Sequence, residues 1–317
     1  MPASPPCSVA RAVSLVGDAW TILIIRELFF GARRFGSILE RLGAPRAVVS
    51  ERLGHLVESG LLERHRYQER PERFEYRLTG KARDLYPAIV LLMQWGDRWL
   101  SADREPPLAL SHRPCGNPLA AEAVCSACST RLRPEAVRTE RAGSDGDGPA
   151  PAETRRLRKG NDRSVLERGR PCSVARALGE VGDRWTFLVL REAFFGARRF
   201  EQYQVGSGAA TNIVADRLSA LVAAGVLERR PYQDRPLRHE YRLTAKGRDF
   251  YGASVALLAW GDRWLGDGGE PPVVLTHDAC GARFSPVVAC ACCHQPVQAR
   301  DVDYAAGYDL PASAEAA

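Results

Sequence analysis

Apolar residues at Val9, Ala12, Val13 and Val16 recur at helical spacing, and Gly17 ends that run. Asp18 is placed to cap the next segment, WTILIIRELFF, whose apolarity on nearly every side predicts a central, buried helix stopped by Gly31. FGSILERL puts Phe35, Ile38, Leu39 and Leu42 on one face of a short helix. Gly43 and Ala44 break the chain before PRAVVSERLGHLVESG, where Pro45 suits a first helical turn and Val49, Leu53, Leu56 and Val57 make an inward stripe closed by Gly60. Two striped helices joined by a glycine turn predict a helix-turn-helix. The period then changes from helix to strand. Leu62, Arg64 and Arg66 alternate with Glu63 and His65, and after the polar tip QERPE, Phe74, Tyr76 and Leu78 alternate in turn, which predicts a hairpin placed as a wing. KARDLYPAIVLLMQWGDRWL follows as a long helix interrupted by Pro87 and finishing near Gly96 to Leu100.

The same pattern is written twice. FFGARRF occupies 29–35 and 194–200, and Cys7/Cys172, Trp20/Trp185, Trp95/Trp260, Cys115/Cys280 and Cys128/Cys293 are all 165 residues apart. A period of this length is a domain duplication rather than a solenoid. The second copy repeats each step with the short helix FEQYQV, a turn GSGAA carrying one more glycine, a recognition-type helix from Ala210 to Ala224 and the hairpin LERRPYQDRPLRHEYRL. Between the copies lies a stretch rich in Gly, Pro, Ala and charge, read as a flexible linker. The expected fold is mainly α with small β. Its layout is a winged module at 7–104, a Cys/His tail at 105–138, the linker at 139–170, a second module at 171–268 and a second tail at 269–304.

Composition narrows the function less than the pattern does. The 317 residues suit about two domains, and no apolar run approaches the roughly 18 residues of a membrane span. The opening MPASPPCSVA lacks a signal-peptide layout, so a cytoplasmic protein is expected. A net charge of +6 permits a polyanionic partner, and lysine appears only at Lys81, Lys159 and Lys246, so the cations are mostly arginines. Nucleotide-binding glycine loops, a nucleophile elbow and an HExxH motif are all missing from the sequence, so no enzymatic activity is expected.

The run from CSVARAVSLVGDAWTILIIRELFFGARRF through RAVVSERLGHLVESGLLERHRY, and its second copy, resemble the HxlR family of bacterial winged helix-turn-helix regulators. The likeness covers roughly 7 to 100 and 172 to 265, and rests on the N-terminal Cys, Trp-Thr, Gly-x-Arg-Arg-Phe and Arg-Leu motifs. It implies a sequence-specific DNA-binding transcription factor that works as a homodimer through its first and last helices. Two fused copies depart from that pattern, and their simplest reading is an intrachain pseudo-dimer, because linkage makes docking intramolecular. Pairing of two fused chains stays open, and no effector is specified.

A recognition helix offers its N-terminal half to the major groove, which nominates Arg46, Ala47, Ser50 and Glu51 in the first copy and Thr211, Asn212, Ala215 and Asp216 in the second. Arg46 could fork onto guanine and Asn212 onto adenine, so an imperfect palindrome is the expected operator. Arg52 and Arg217 suit a phosphate contact or an internal ion pair equally. Arg33, Arg34, Arg198 and Arg199 open each motif where a phosphate would run. Arg70, Arg73, Arg235 and Arg238 at the wing tips suit a narrow minor groove, against a solvated hairpin nearly neutralised by Glu69, Glu72 and Glu75.

Each tail carries H-x2-C-x9-C-x2-C, as His112, Cys115, Cys125 and Cys128 and as His277, Cys280, Cys290 and Cys293. Three thiolates and an imidazole make a closed structural zinc set, and Gly116 and Gly281 permit the knuckle turn, so two zinc ions, one per tail, are expected. Buried structural cysteines or a C-x-x-C dithiol switch are the alternatives. Cys292 and His294 have no counterparts in the first copy and stay outside the set. For Cys7 and Cys172, the equivalent cysteine of some HxlR relatives senses oxidants or electrophiles, while simple packing accounts for them equally well. The leading function is thus a DNA-binding regulator, thiol-responsive or not. The alternative is a zinc-dependent interaction scaffold whose winged helices no longer bind DNA specifically.

Overall fold

The computed structural model describes residues 7–101, 105–141 and 163–307. The first repeat runs α1 (Ser8–Val16), α2 (Ala19–Phe29), α3 (Phe35–Leu42), α4 (Arg46–Glu58), β1 (Leu62–Gln68), β2 (Arg73–Leu78), α5 (Gly80–Arg83) and α6 (Tyr86–Leu100). Its tail adds β3 (Leu108–His112), β4 (Asn117–Pro118), β5 (Ala121–Cys125) and β6 (Val137–Arg141). After α7 (Arg163–Leu166), the second repeat gives α8 (Ser173–Val181), α9 (Arg184–Phe194), α10 (Phe200–Ser207), α11 (Thr211–Ala223), β7 (Leu227–Asp234), β8 (Leu237–Leu243), α12 (Ala245–Asp249) and α13 (Tyr251–Leu265). The second tail holds β9 (Val273–His277), β10 (Arg283–Phe284), β11 (Pro286–Cys290) and β12 (Val302–Ala306). Residues 142–162 of the expected linker lie outside the described residues.

Local sequence accounts for these elements. Asp18 accepts from the Thr21 amide at 3.1 Å and Asp183 from the Thr186 amide at 3.1 Å, capping the two buried helices α2 and α9. Gly43 ends α3 in the left-handed region at φ 60°, where a side chain would be strained. Pro87 does not interrupt α6 but sits in its first turn, and the break falls between α5 and α6. The second repeat breaks at the same place without a proline. The extra glycine of the second turn, Gly206, belongs to the last turn of α10, so both turns have three residues, Gly43 to Pro45 and Gly208 to Ala210.

The chain forms two compact units, and each draws on both repeats. One contains 7–14, 122–141 and 180–288; the other contains 15–101, 105–121, 163–179 and 289–307. Within the first unit, the Ser8 hydroxyl donates to Asp262 of α13 and Arg11 donates to the Leu265 carbonyl at 2.8 Å. A Cβ on Gly261 would lie 2.4 Å from the Ser8 carbonyl oxygen, so the close approach requires glycine there. The second unit repeats this arrangement: Ser173 donates to Asp97 of α6, Arg176 donates to Ser101 Oγ at 2.9 Å, and a Cβ on Gly96 would stand 2.2 Å from the Ser173 carbonyl oxygen. Gly96 and Gly261 therefore admit a neighbouring backbone rather than ending their helices.

The tail strands follow the same exchange. In the first unit β6 pairs antiparallel with β9, Val137 opposite His277; in the second, β12 pairs antiparallel with β3, Val302 opposite His112. Among the described residues no single helix is long and apolar enough to cross a membrane.

Candidate nucleic-acid interface and metal centres

In the second unit, α4 packs Val49, Leu53 and Leu56 into the core, which turns Arg46, Ala47, Ser50 and Glu51 to solvent. The Arg46 guanidinium lies 4.9 Å from the centre of the Phe35 ring, a stack that holds its stem while leaving the plane outward. In the first unit, α11 buries Val214, Leu218 and Leu221 and exposes Thr211, Asn212, Ala215 and Asp216. Thr211 Oγ1 accepts from Gln204 at 2.9 Å.

Arg52 and Arg217 take the internal ion pair rather than an outward pose. Arg52 Nε reaches Asp18 at 2.9 Å and its Nη1 reaches Glu51 at 3.2 Å; Arg217 Nε is 3.1 Å from Asp183. Each arginine thereby ties the fourth helix of its repeat to the N-cap of the second. Burial opposes the Arg52 charge, yet Asp18 and Glu51 hold its guanidinium above the ordinary arginine range.

The arginines opening each motif are exposed and clamped to the wing. The Tyr76 amide donates to the Arg33 carbonyl at 2.7 Å and the Tyr241 amide to the Arg198 carbonyl at 2.8 Å. Arg34 stacks 4.6 Å from the Tyr67 ring centre, and Arg199 stacks 4.9 Å from that of Tyr232. Along the first wing Leu62, Arg64 and Arg66 face Leu78, Tyr76 and Phe74, the alternation read from the sequence. The acids beside its tip are engaged elsewhere on the hairpin: Glu69 and Glu72 lie 3.8 and 3.6 Å from Arg66, and Glu75 pairs with Arg77. Among the described residues, exposed Arg70 and Arg73, like Arg235 and Arg238, have no acidic partner.

The eight Cys/His ligand candidates come together, but not in the two sets expected. His112 and Cys115 join Cys290 and Cys293 in the second unit, while Cys125 and Cys128 join His277 and Cys280 in the first. Each centre takes its His-x2-Cys knuckle from one tail and its Cys-x2-Cys knuckle from the other. The cause is strand pairing, since β12 is laid on the strand ending in His112 and β6 on the strand ending in His277. Glycine at φ 68° and 69°, Gly116 and Gly281, makes the His-x2-Cys turns. Ser129 and His294, at φ 58° and 59°, make the Cys-x2-Cys turns, and His294 stands outside the ligand group.

A tetrahedral zinc with bonds of about 2.3 Å to sulfur and about 2.05 Å to nitrogen has S···N edges of about 3.6 Å and S···S edges of about 3.8 Å. Nδ1 of His112 is 3.6 Å from Cys115 Sγ and 3.3 Å from Cys293 Sγ. Nδ1 of His277 is 3.6 Å from Cys280 Sγ and 3.2 Å from Cys128 Sγ, and Cys125 and Cys280 are 3.9 Å apart. These edges fit a zinc tetrahedron, and all the sulfurs are free thiols. The backbone of Asn117, then His112, draws the Cys115 thiol down to about 6; Thr130 does the same for Cys128, also to about 6. Both can thus ligate as thiolates at neutral pH. Exposed Cys292 accepts from Asn117 Nδ2 at 3.1 Å, beside the centre and outside it.

Buried charge beside the two N-terminal cysteines was not anticipated. Arg26 donates to Cys172 Sγ at 2.5 Å, and Arg26 and Arg170 share Glu27 Oε1. In the first unit Arg191 and Arg141 share Glu192, with Cys7 beside Arg191. The signal was present: a charged Arg-Glu pair in each of two helices otherwise apolar all round, WTILIIRELFF and WTFLVLREAFF.

Relatives of the chain carry names of transcriptional regulators. An uncharacterized HTH-type transcriptional regulator of Mycobacterium tuberculosis is 49% identical over 133 residues, 42% of this chain and 84% of that protein. One from Synechocystis is 36% identical over 98 residues, 31% of this chain and 73% of its own length. A solved structure of a candidate transcription factor from Pseudomonas aeruginosa matches at 36% identity and a TM-score of 0.32, covering 44% of this chain and 93% of that one. The family so matched consists of transcriptional regulators, not enzymes. The HxlR-like helix-turn-helix family model matches residues 15–104 and again 180–268, and this chain belongs to that family, carrying its domain twice.

Proposed function

We propose that this protein is a sequence-specific, double-stranded-DNA-binding transcriptional regulator that acts as an intrachain pseudo-dimer on an imperfect palindromic operator. The observation that carries the reading is the pair of outward recognition faces, Arg46, Ala47, Ser50 and Glu51 on α4 against Thr211, Asn212, Ala215 and Asp216 on α11. They differ in residue at every position, and in chemistry at all but the acidic pair Glu51 and Asp216, so the two half-sites differ in sequence. Arg46 forks onto a guanine and Asn212 onto an adenine. Arg33, Arg34, Arg198 and Arg199 hold phosphates beside the helix starts, and the four tip arginines, having no local acid to satisfy them, enter the minor groove. Arg52 and Arg217 support the helix from within. First helices seated on last helices through Ser8–Asp262 and Ser173–Asp97 support the pseudo-dimer.

In vitro selection of operator DNA, followed by fluorescence anisotropy over a salt series, tests this. Arg46→Ala and Asn212→Ala are each expected to cost about 1–3 kcal/mol at one half-site and to leave preference at the other intact. If selection returns no preferred sequence and neither variant changes binding, the protein is a scaffold and not a DNA reader.

Zinc in the two Cys3His centres is structural, since four protein ligands close the coordination sphere. Cys7 and Cys172 make the regulator thiol-responsive: each sulfur sits against a buried guanidinium that fixes the second helix of the opposite repeat. Cys7→Ser with Cys172→Ser is expected to abolish the response of a promoter reporter to hydrogen peroxide. An undiminished response in that double variant would reduce both thiols to packing.

A further inference from the structure

The two wings are built differently at their tips. In the first, the ladder ends with Gln68 opposite Arg73, and residues 69–72 turn beyond it. In the second, the ladder runs one pair further, to Asp234 opposite Leu237, so that Arg235 and Pro236 alone lie beyond the strands. Leu237 is therefore mounted on paired backbone. Gln233 tightens the same tip by donating to the Arg235 carbonyl at 3.0 Å.

The residue so mounted is a bare hydrocarbon. Leu237 is 62% exposed, whereas the corresponding position of the first wing holds Glu72, which lies 3.6 Å from Arg66. A single exposed leucine is ordinary on a protein surface, and its surroundings set this one apart. The other large apolar side chains exposed among the described residues have local company: Tyr67 and Tyr232 lie under Arg34 and Arg199, Tyr304 meets Phe30 edge-on, and Val205 belongs to the wall of a cleft. Leu237 has exposed Arg235 and Arg238 on either side of it in the chain, neither with an acidic partner.

Charge separates the wings as well. Residues 69–73, ERPER, carry two acids and two arginines; residues 234–238, DRPLR, carry one acid and two arginines. The first tip is neutral and the second is positive. A carboxylate at the place of Glu72 is repelled by the negative potential of a DNA groove, while an apolar side chain carried between cations is drawn into it.

We infer that Leu237 is an apolar wedge that enters the minor groove of the half-site read by α11, inserts between two stacked base pairs and kinks the duplex there. This rests on the DNA-binding reading above and adds the deformation of the partner to it. Arg235 and Arg238 bring the tip to the groove, and the extended ladder keeps the leucine from folding back when it meets the base stack. Unstacking is least costly at a pyrimidine–purine step, so TA or CA/TG is expected in the flank of the α11 half-site. The half-site read by α4, facing Glu72, has no such requirement. The bend is accordingly one-sided, and a base step that no side chain reads by hydrogen bonds becomes part of the recognised sequence.

Operator DNA selected in vitro with the full chain tests this when it is labelled at its ends for energy transfer and carries 2-aminopurine in place of each adenine in turn. With the unaltered protein, 2-aminopurine fluorescence is expected to rise severalfold at one step on the α11 side, with a bend of about 20–90°. Leu237→Ala should abolish that rise and reduce the bend by about half or more. It should leave the slope of log affinity against log salt unchanged, because no charge is removed. Leu237→Phe, which keeps an apolar wedge, should retain both signals. Leu237 is exposed, so neither substitution disturbs the core. Tight binding by anisotropy with no fluorescence rise at any step, or with bend and fluorescence unchanged in Leu237→Ala, overturns the wedge and leaves the regulator reading standing. Failure to select any operator overturns the regulator reading and the wedge with it.

Discussion

Replacing His112 and Cys290 together is expected to lower bound zinc from two ions per chain to one, the same count as either replacement alone, because the two residues serve one centre. Replacing His112 with Cys125 is expected to remove both ions, since those residues belong to different centres although they stand in the same tail. A ligand set closed within each tail predicts the reverse for the two double variants, so elemental analysis of purified protein separates the arrangements outright. The energetic consequence is large. Structural zinc binds with an apparent free energy of about 10–16 kcal/mol, comparable to the whole stability of a domain. The ladders themselves are short: β3, β6, β9 and β12 are five residues each, and ladders of that size need further support to persist. Chelation should therefore release β6 from β9 and β12 from β3, measurable as loss of amide protection over 108–112 and 273–277.

Glu27→Ala is expected to destabilise the second unit by about 3–5 kcal/mol, because it strands two buried guanidiniums. The Glu27 side chain is 0% exposed, and those of Arg26 and Arg170 are 7% and 6%. Removing the acid leaves both cations away from water without their shared carboxylate, Arg26 against the Cys172 sulfur and Arg170 over the Phe30 face. For a unit of this size the melting temperature should fall by about 10 °C. Glu192→Ala should do the same in the first unit, where Arg191 and Arg141 lose their shared carboxylate. Calorimetric melting of each variant is the check, and a loss below about 1 kcal/mol would mean that the surroundings absorb the charge and that these acids are not the keystones described.

Much of the fold was legible because its signals are local. The stripe Val49, Leu53, Leu56 orients α4 by period alone, and the same period identifies Arg46 and Ser50 as outward. The alternation of Leu62, Arg64 and Arg66 and of Phe74, Tyr76 and Leu78 marked the two strands of the wing, which pair with Leu62 opposite Leu78. The eight metal-ligand candidates were legible as types, and their grouping was not. Two tails of identical spacing close equally well within themselves or across each other, and only the long-range pairing of β6 with β9 and β12 with β3 decides between them. Arg52 had a visible partner type in Asp18, yet their meeting depends on how α4 crosses α2, which no linear spacing encodes. The shared glutamates are the hardest case. Arg26 and Glu27 adjoin in sequence, but Arg170 and Cys172 reach them from 143 and 146 residues away.

The crossed metal centres also bear on how such a gene can change over generations. A knuckle that drifts must be answered by a knuckle in the other half of the coding sequence, so compensating substitutions should fall between positions such as His112 and Cys293, 181 residues apart, or Cys128 and His277, 149 apart. The two knuckles of one tail serve different centres and carry no such obligation to each other. The duplicated halves are free to diverge in the words their recognition helices read, while heredity binds their tails as a single unit.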